Sequence, residues 1–479
     1  MRIIGNAGKA REVQAVASGV LPSGVPVVVN ADGTVSTITG QSEDLGSSVV
    51  FEAARARYIS SVFDSNSNKV VIVYQDQDNT SAGTAIVGTV SGTSISFGSP
   101  ATFTGDASYI SAAFDSNSNK VVAFYGDANN SGYGTAIVGT VSGTSISFGT
   151  AVVFQSGGIN STSSTFDSAN NKVVAAYRND GASARGTAVV GTVSGTSISF
   201  GSSVQFNTAA TNYTSSVFDS NSNKIVITYS DAGNSSYGTA IVGTVSGTSI
   251  SFGTSVVFNA ASTEGAALVF DSNANKVVMG YPNTSNSYYA TAIVGTVSGT
   301  SISFGSPSVI FEDSSDKMSG AFDSSTSQVV FAIYDNGSST SGVVVVAKIS
   351  GSSVSASSPT TFFTGRVNYP SAVYDSNAEK TVISYYTEDG SPAYGYSAVF
   401  QAGSTTLTSD NYIGTAATGA PDGKAAKINA KGFIDDNQTG LTPGQSYYVQ
   451  TDGTLSTTAG DPSVFAGTAV AATKLIVKG

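Results

Sequence analysis

The string Asp-Ser-Asn-Ser-Asn-Lys recurs along the chain and is the pattern whose residue types could hold a metal ion. In its first copy, Asp64, Asn66 and Asn68 place oxygen-bearing side chains at alternate positions, as in the first half of a calcium-binding loop. Such a loop also needs a glycine at its sixth position and a glutamate at its twelfth, where this chain has Lys69 and Gln75. Because Asp and Asn also stabilise turns by hydrogen bonds to nearby backbone amides, the string predicts a polar hairpin turn. We expect no metal ion and no cofactor.

Neighbouring carboxylates are the second feature that could do chemistry, since two acids that flank a sugar can hydrolyse a glycosidic bond. Asp76 with Asp78, and Glu388 with Asp389, occur in segments between apolar runs. Adjacent acids in such segments are usually solvated, and nothing in their spacing favours catalysis. The chain also has no His and no Cys, which removes the usual zinc ligands and the commonest general base and nucleophile systems. We therefore expect a protein that is not an enzyme.

A third set of residues suits recognition of a ligand. Seven segments between apolar runs vary from copy to copy and carry Tyr among Asn, Asp and Ser, a composition typical of adaptable binding surfaces. Rigid scaffolds commonly carry their function on such loops, although drift of unconstrained loops would produce the same variation. The candidate ligand-binding residues are Tyr133, Arg178, Tyr237, Tyr288, Tyr289 and Tyr394.

All of these residues belong to an internal repeat of 52 residues. The Asp of the recurrent string falls at Asp64, Asp115, Asp167, Asp219, Asp271, Asp323 and Asp375. The first spacing is 51 residues and the other five are 52. A second string, Gly-Thr-Val-Ser-Gly-Thr-Ser-Ile-Ser-Phe, begins at Gly88 and recurs in the next four copies. A repeat of this length indicates an array of similar structural units.

Each copy predicts four β-strands, because Val, Ile, Thr, Phe and Tyr fill its runs while Gly, Asn and Ser separate them. In the first copy these strands are residues 58–63, 69–74, 84–90 and 94–103. Residues 70–74 are apolar on both alternating faces, whereas a sheet with one face in water alternates apolar and polar residues. Each sheet must therefore be covered on both faces, as are the blades of a β-propeller. The predicted fold is all-β, a seven-bladed propeller of four-stranded blades. An open solenoid would need polar terminal repeats, and the first and seventh copies are as apolar as the others.

Both ends of the chain contribute to this architecture. The outer-strand string that enters each repeat occurs once more at residues 46–51, so this segment is expected to form the outer strand of blade seven and to bury two sheet edges. Residues 21–36 align without gaps with residues 441–456, each with an Asp-Gly hairpin turn between apolar runs. The predicted domains are an N-terminal β module at 1–44, the propeller at 45–402 and a C-terminal β module at 403–479. Ring closure would bring the two modules together as one small accessory unit.

The repeat resembles the four-stranded blade of sialidase-like propellers. The resemblance rests on the turn from Asp64 to Asn68 after an inner strand, and on an apolar strand that ends in the aromatic Tyr74. The segment from Val90 to Phe97 stands where that family has its Asp-box turn, but it lacks the Asp and Trp of the box. The resemblance implies the fold and not the activity. A glycan-cleaving enzyme is the alternative, and it would need an arginine cluster with a Tyr-Glu nucleophile pair. Arg57 and Arg178 are among the arginines that could face one mouth of the ring, but no Glu lies near them in a recognisable motif.

The terminal modules resemble short β modules at the ends of bacteriophage virion proteins, especially tail-fibre-like proteins of marine phages. The matching segments are residues 440–457 and 466–479. This resemblance implies a non-catalytic structural protein on the surface of the phage particle, tail-fibre-like or otherwise displayed. It would dock on other virion proteins through the modules, form a homo-oligomer, and present a propeller face to a host-surface glycan or a particle protein. The alternatives are a capsid decoration or head-fibre protein and a bacterial surface lectin.

Charge and hydropathy argue against two further classes of partner. The net charge is −11, and the 21 basic residues are dispersed, so no basic cluster is present that could neutralise phosphates. We therefore expect no nucleic-acid partner. No apolar run approaches the roughly 18 residues of a spanning helix, and we expect no membrane insertion.

Overall fold

The computed structural model describes residues 2–3, 12–30, 32–387, 393–460 and 462–478. The acidic pair Glu388 and Asp389 lies outside the described residues. The chain forms two compact units, one of Leu45–Ala402 and one of Met1–Asp44 with Gly403–Gly479. Across the described ranges, no helix is long and apolar enough to cross a membrane.

The unit Leu45–Ala402 contains seven groups of antiparallel strands, one for each copy of the repeat. The inner strands, which precede the Asp turn, are Ala56–Asp64, Ala107–Asp115, Val152–Asp167, Val204–Asp219, Ala267–Asp271, Ser308–Asp323 and Val367–Asp375. The second strands are Lys69–Asp76, Lys120–Asp127, Lys172–Asn179, Lys224–Asp231, Lys276–Asn283, Gln328–Asp335 and Lys380–Thr387. The third strands are Ala82–Ser91, Tyr133–Ser142, Arg185–Ser194, Tyr237–Ser246, Tyr289–Ser298, Ser341–Ser350 and Gly395–Gln401.

The outer strand of each repeat is divided into two segments. The first segments of the first six repeats are Ser94–Phe97, Ser145–Phe148, Ser197–Phe200, Ser249–Phe252, Ser301–Phe304 and Ser353–Ala356. The second segments are Val49–Glu52, Ala101–Thr104, Val256–Ser262, Thr360–Thr364 and the first residues of the three longest inner strands. The break in the first repeat lies at Gly98, where an added Cβ would stand 1.9 Å from the carbonyl oxygen of Thr144. This close approach of neighbouring repeats requires glycine.

Burial explains why the second and third strands have no polar face. From Val70 to Tyr74 every side chain is 0% exposed, because neighbouring repeats cover both faces of the sheet. The apolar cluster around Val71 and Val73 includes Val121 and Ala123 of the second repeat. The sheets therefore pack face to face, which confirms the propeller arrangement expected from the sequence.

The strand Val49–Glu52 pairs with Gly395–Gln401, the third strand of the seventh repeat. This pairing confirms the prediction that residues 46–51 form the closing outer strand. Phe51 then packs against Tyr74 of the first repeat with 5.1 Å between ring centroids, as Phe103 and Tyr125 do at 5.2 Å between the first and second repeats. The same kind of contact thus joins the last repeat to the first.

The inner strands close the circle on the inside. The backbone N–H of Ser61 in the first repeat donates to Ser371 Oγ in the seventh over 2.9 Å. The rings of Tyr58 and Tyr369 lie 5.3 Å apart between centroids. Every repeat therefore has a neighbour on both sides.

The recurrent Asp residues anchor the turns between the first and second strands. Asp64 Oδ1 accepts hydrogen bonds from the backbone N–H groups of Asn66 and Ser67, at 2.9 and 3.0 Å. All seven of these Asp are buried, with at most 3% of the residue exposed. Equivalent bonds occur in the other six repeats. This confirms the hairpin-turn interpretation of the string.

Short 3-10 turns connect the second and third strands in four repeats. They are Ala128–Asn130, Asp180–Ala182, Ala232–Asn234 and Thr284–Asn286. Asp127 and Asp231 cap two of them by accepting a hydrogen bond from a backbone N–H of the turn. The sequence did not suggest these turns, because a single helical turn has no periodicity to detect.

The accessory unit is built from both ends of the chain. One sheet has the order Arg2–Ile3, Glu12–Val16, Ala425–Asn429, Tyr412–Ala416, Pro26–Val29 and Val35–Thr37. Another has the order Ile434–Asp435, Lys474–Val477, Val464–Ala471, Ser446–Val449 and Leu455–Ser456, and Gly40–Gln41 pairs with Ser404–Thr405. In sequence, the two-residue strand Asp44–Leu45 spans the junction of the two units. The turns at Gly33 and Gly453 have φ of 80° and 82°, which confirms the two predicted Asp-Gly hairpins.

Candidate functional site

The inner strand of each repeat carries an irregularity near its beginning. In the first repeat, pairing with the second strand shifts register between Arg57 and Ser60, which marks a β-bulge. The same shift recurs in five other repeats. Inside the bulge, Tyr58 has φ of 49°, in the left-handed region. This conformation costs a non-glycine residue about 1–2 kcal/mol.

Left-handed backbone recurs at the equivalent position around the ring. It is found at Tyr58, Tyr109, Ser161, Tyr213, Gly265 and Tyr369. The repeat spacing makes Lys317 the seventh equivalent residue. Only one of these six residues is glycine, so at the other five the surrounding structure must enforce the conformation. Strain of this kind is concentrated at functional sites.

The seven equivalent residues line one cavity of about 510 Å³. Because one lining residue comes from every repeat, this cavity lies on the axis of the ring, at the end where the inner strands begin. We call it the axial cavity. It lies at the same end as the variable segments between the second and third strands, since the inner and second strands are antiparallel.

Four tyrosine rings form much of the wall of the axial cavity. The centroid of the Tyr58 ring lies 5.0 Å from that of Tyr109 and 5.3 Å from that of Tyr369. Tyr213 is 49% exposed and offers its ring to solvent. Burial, with a further contribution from Tyr369, raises the pKa of Tyr58 to about 12. Its hydroxyl is therefore protonated at neutral pH and can donate a hydrogen bond.

Two cations lie against these rings: Lys317, which lines the cavity, and Arg57, which does not. The Arg57 guanidinium lies 5.8 Å from the Tyr58 centroid and 5.7 Å from the Tyr369 centroid. Lys317 Nζ lies 5.7 Å from the Tyr369 centroid and 3.3 Å from Asp316 Oδ2. Distances below about 6 Å are typical of cation–π attraction. These contacts hold the Tyr369 ring in place.

Acceptor groups complete the lining of the axial cavity. Glu264, Asp316 and Asn160 all belong to it. Burial raises the pKa of Tyr213, and the charges of Glu264 and Asp316 raise it further. The cavity thus combines flat aromatic surfaces with carboxylate, amide and phenol groups. It suits a ligand that has an apolar face and several hydroxyl groups.

The opposite end of the inner strands is different in character. There a cavity of about 500 Å³ is lined by Phe63, Phe114, Phe166 and Phe218, with small side chains between them. No charged side chain belongs to this lining. The two ends of the ring therefore differ, and the polar groups suited to recognition are at the axial cavity.

The structure distributes the residues that the sequence proposed for ligand binding. Tyr133, Tyr237 and Tyr289 each begin a third strand, in the second, fourth and fifth repeats. Tyr288 is 42% exposed, and the Tyr394 ring packs against Tyr396 with 6.1 Å between centroids. None of them lines the axial cavity.

Arg178 is held by neighbouring side chains and also does not line the axial cavity. Its Nε lies 2.6 Å from Asp180 Oδ1, and its Nη1 donates to Asn212 Oδ1 over 2.7 Å. Asn212 precedes Tyr213 of the axial cavity, so Arg178 supports the chain beside it. The structure does not bring the proposed residues into one site, although their segments lie at the same end of the ring.

The sequence contained a signal for the axial cavity that the loop-based reasoning missed. Tyr58, Tyr109, Tyr213 and Tyr369 occupy one position of the repeat, near the start of the first predicted strand. Tyr at that position is compatible with a simple strand, so composition alone did not single it out. Aligning the copies and comparing this position would have shown Tyr in four of them.

Comparisons with known proteins support the fold. No protein family model and no curated protein matches the chain. Among solved structures, the BP39L lectin of Burkholderia pseudomallei is similar with a TM-score of 0.54 and 10% identity, over 74% of this chain and 98% of the lectin. A protein of unknown function from Dyadobacter fermentans has a TM-score of 0.47 and 11% identity, over 75% of this chain and 99% of that one. AofleA from Arthrobotrys oligospora has a TM-score of 0.42 and 12% identity, over 73% and 96%. The fold and the axial cavity define an all-β protein of the propeller class.

Proposed function

We propose that the protein is a non-catalytic carbohydrate-binding β-propeller whose axial cavity holds one sugar residue of a glycan. The observation that carries this proposal is the convergence of one residue from each repeat, four of them Tyr, on a cavity that also contains carboxylates and an amide. A pyranose ring has an apolar C–H face that suits a tyrosine ring, and a rim of hydroxyl groups that suits acceptors. The similarity to a bacterial lectin supports the proposal through the fold.

Binding is favoured over hydrolysis by the state of the charged groups. Lys317 is paired with Asp316, and Arg57 is stacked on two tyrosine rings. The lining of the axial cavity contains no arginine, and its one cation, Lys317, is paired with a carboxylate, whereas a sialidase-like site needs a cluster of arginines. The second candidate function, glycan cleavage by a sialidase-like site, therefore has less support than recognition.

We further propose that the protein is a component of a phage virion, tail-fibre-like or displayed on the particle surface. The proposal is supported by the resemblance of residues 440–457 and 466–479 to modules at the ends of virion proteins. The terminal modules would then dock on other particle proteins, while the propeller contacts a host glycan. A capsid decoration or head-fibre protein would likewise dock through the terminal modules and bind its ligand through the propeller. Mass spectrometry of purified particles tests this: the chain should be present in stoichiometric amount, and its absence would refute it.

A glycan array tests carbohydrate binding by the axial cavity. The full chain should bind a defined group of glycans. Tyr213→Ala should weaken that binding about tenfold or more, because truncating an aromatic hot spot at the centre of a binding site costs about 2 kcal/mol or more, and about 1.4 kcal/mol corresponds to tenfold. Tyr288→Ala, which removes an exposed tyrosine outside the cavity, is the matched control and should bind as the wild type does. The opposite pattern would place the site on the variable segments and overturn the axial assignment.

The same bound glycan distinguishes recognition from hydrolysis. Glycan recovered after prolonged incubation with the full chain should have an unchanged mass. A shorter product that forms with the wild type, and not with Tyr213→Ala, would show that the protein is a glycan-cleaving enzyme.

A further inference from the structure

Three aromatic rings fill the outer part of the interface between neighbouring repeats. Between the first and second repeats they belong to Phe103 of an outer strand, Tyr125 at the end of the next second strand, and Phe148 at the end of the following hairpin segment. The Phe103 centroid lies 5.2 Å from that of Tyr125 and 5.3 Å from that of Phe148. We call this set the aromatic triad. It recurs as Phe51–Tyr74–Phe97, Phe154–Tyr177–Phe200, Phe206–Tyr229–Phe252 and Phe258–Tyr281–Phe304.

The interface between the fifth and sixth repeats lacks all three rings. The repeat spacing places Ile310, Ile333 and Ala356 at the triad positions. Strand pairing confirms one equivalence directly, since Ala347 opposes Ala356 in the sixth repeat as Gly295 opposes Phe304 in the fifth. The three replacements are all smaller, and they meet at one interface.

A cavity of about 530 Å³ lies at this interface, and its lining includes Ile310 and Ala356. We call it the inter-repeat cavity. Its volume falls within the range of ordinary ligand pockets, about 300–1,000 Å³. Ile310 and Ala356 are smaller than the Phe rings at the same positions of the other repeats, and both line this space.

The inter-repeat cavity has an apolar part and a polar part. Phe311, Val343 and Pro359 contribute apolar surface, while Glu312, Asp313 and Asp335 contribute carboxylates. No basic side chain belongs to the lining. In the described part of the chain, no three acidic side chains are close enough together to hold a metal ion. The acceptors therefore call for a ligand with several hydrogen-bond donors.

Two of the three carboxylates of this cavity, those of Asp335 and Asp313, are fixed in orientation. Asp335 is 1% exposed, its Oδ1 accepts from the backbone N–H of Gly337 at 2.9 Å, and its Oδ2 accepts from Ser341 Oγ at 3.3 Å. Asp313 Oδ2 accepts from the backbone N–H of Ser338 at 3.0 Å. Ser339 Oγ also donates to Asp335, and the Ser314 N–H and Ser338 Oγ also donate to Asp313. A carboxylate has about four acceptor positions, so each of these two keeps one for a ligand hydroxyl. Such fixed acceptors favour a ligand of defined stereochemistry.

We infer that the inter-repeat cavity is a second sugar site, which takes a neutral pyranose residue. The hydroxyl groups of the sugar would donate to Glu312, Asp313 and Asp335, and its C–H face would pack on Val343 and Pro359. The choice of ligand class rests on the proposed function, but the site itself does not depend on the axial cavity.

Refilling the cavity tests this inference in the full chain. The double substitution Ile310→Phe and Ala356→Phe restores side chains that other repeats accommodate at the same positions. It should leave the denaturation midpoint unchanged or higher, so that any loss of binding is not a loss of folding. The probes are the methyl glycosides of glucose, galactose, mannose and fucose, with binding followed by titration calorimetry and saturation-transfer NMR.

The wild type should bind one of these glycosides at two sites per chain, and the refilled variant at one. Glu312→Gln, which alters an exposed side chain and leaves the packing intact, should weaken the inter-repeat site about tenfold even if the refilled variant does not fold. Absence of glycoside binding to the wild type, or an unchanged number of sites in the refilled variant, would overturn the inference. Preference for glucosamine over all four neutral glycosides would overturn the ligand class. If Tyr213→Ala keeps every site while refilling removes one, the axial proposal fails and this one stands.

Discussion

Because the backbone at Tyr213 is left-handed, we predict that alanine and glycine reverse their usual order of stability at this position. In a regular strand, glycine is less stable than alanine by about 0.5–1 kcal/mol, because the unfolded glycine chain has more freedom to lose. At Tyr213 the backbone has φ of 52°, where alanine is strained by about 1–2 kcal/mol and glycine is not. Both Tyr213→Ala and Tyr213→Gly remove the same half-exposed ring, so the lost packing cancels in the comparison. The glycine variant should therefore be the more stable of the two, by about 0.5–1 kcal/mol.

Urea denaturation of the full chain, followed by circular dichroism, measures this difference. The matched control is Val153, which is 42% exposed in an outer strand with ordinary backbone. There Val153→Ala should be more stable than Val153→Gly. Both Tyr213 variants should lose glycan binding, but only the alanine variant keeps the backbone strain. The comparison therefore separates the cost of the backbone conformation from the contribution of the ring to binding. If alanine is the more stable residue at both positions, the left-handed bulge is wrong and the axial site loses its structural basis.

Three further predictions concern the ring. Asp167→Ala should lower the free energy of unfolding by about 1–3 kcal/mol, because two backbone amides lose their acceptor. Asn66→Ala, at an exposed turn position, should lower it by less than about 1 kcal/mol. Equal losses in urea denaturation would contradict the role of the Asp side chain in holding the turn. Gly149→Ala should cost about 1–3 kcal/mol, because its Cβ would stand 1.9 Å from a carbonyl oxygen of the next repeat; Gly105→Ala, whose nearest atom is a side-chain nitrogen at 3.3 Å, is the control. Burial raises the pKa of Glu52 above its ordinary 4.5, although a tyrosine hydroxyl that donates to it lowers it. Stability linked to the protonated form is present below pH 4.5 and is lost as pH rises through the raised value. Glu52→Gln should make the melting temperature depend less on pH across this window. If the variant shows the same dependence on pH as the wild type, the raised pKa of Glu52 is refuted.

The repeat architecture was predictable because its causes are local. Val70 to Tyr74 is apolar on both faces, and only a sheet covered on both sides satisfies such a strand. The closing segment was also predictable. Residues 46–51 repeat the string that forms the outer strand in the other copies, and the seventh copy needed an outer strand beside its third strand. The predicted outer strand 94–103 is broken at Gly98 by contact with the next repeat. That contact depends on how the sheets pack, which one copy of the sequence does not reveal.

The candidate site was predictable only in its location at one end of the ring. Tyr58 and its equivalents have the composition of an ordinary strand, and their left-handed backbone is imposed by pairing on both sides of the bulge. The sequence instead predicted a site on the variable segments, at Tyr288 and the other proposed residues, but none of these residues lines the axial cavity. Variation between copies indicates where the chain is unconstrained, whereas convergence on the axis depends on the closed ring.

The most direct measurement is a crystal structure of the full chain soaked with the glycan that binds best on the array. A sugar ring should occupy the axial cavity, packed on Tyr109 or Tyr213, with hydroxyl groups directed at Glu264 or Asp316. A glycan seated only against Tyr288 and the other variable segments, with the axial cavity empty of sugar, would contradict it.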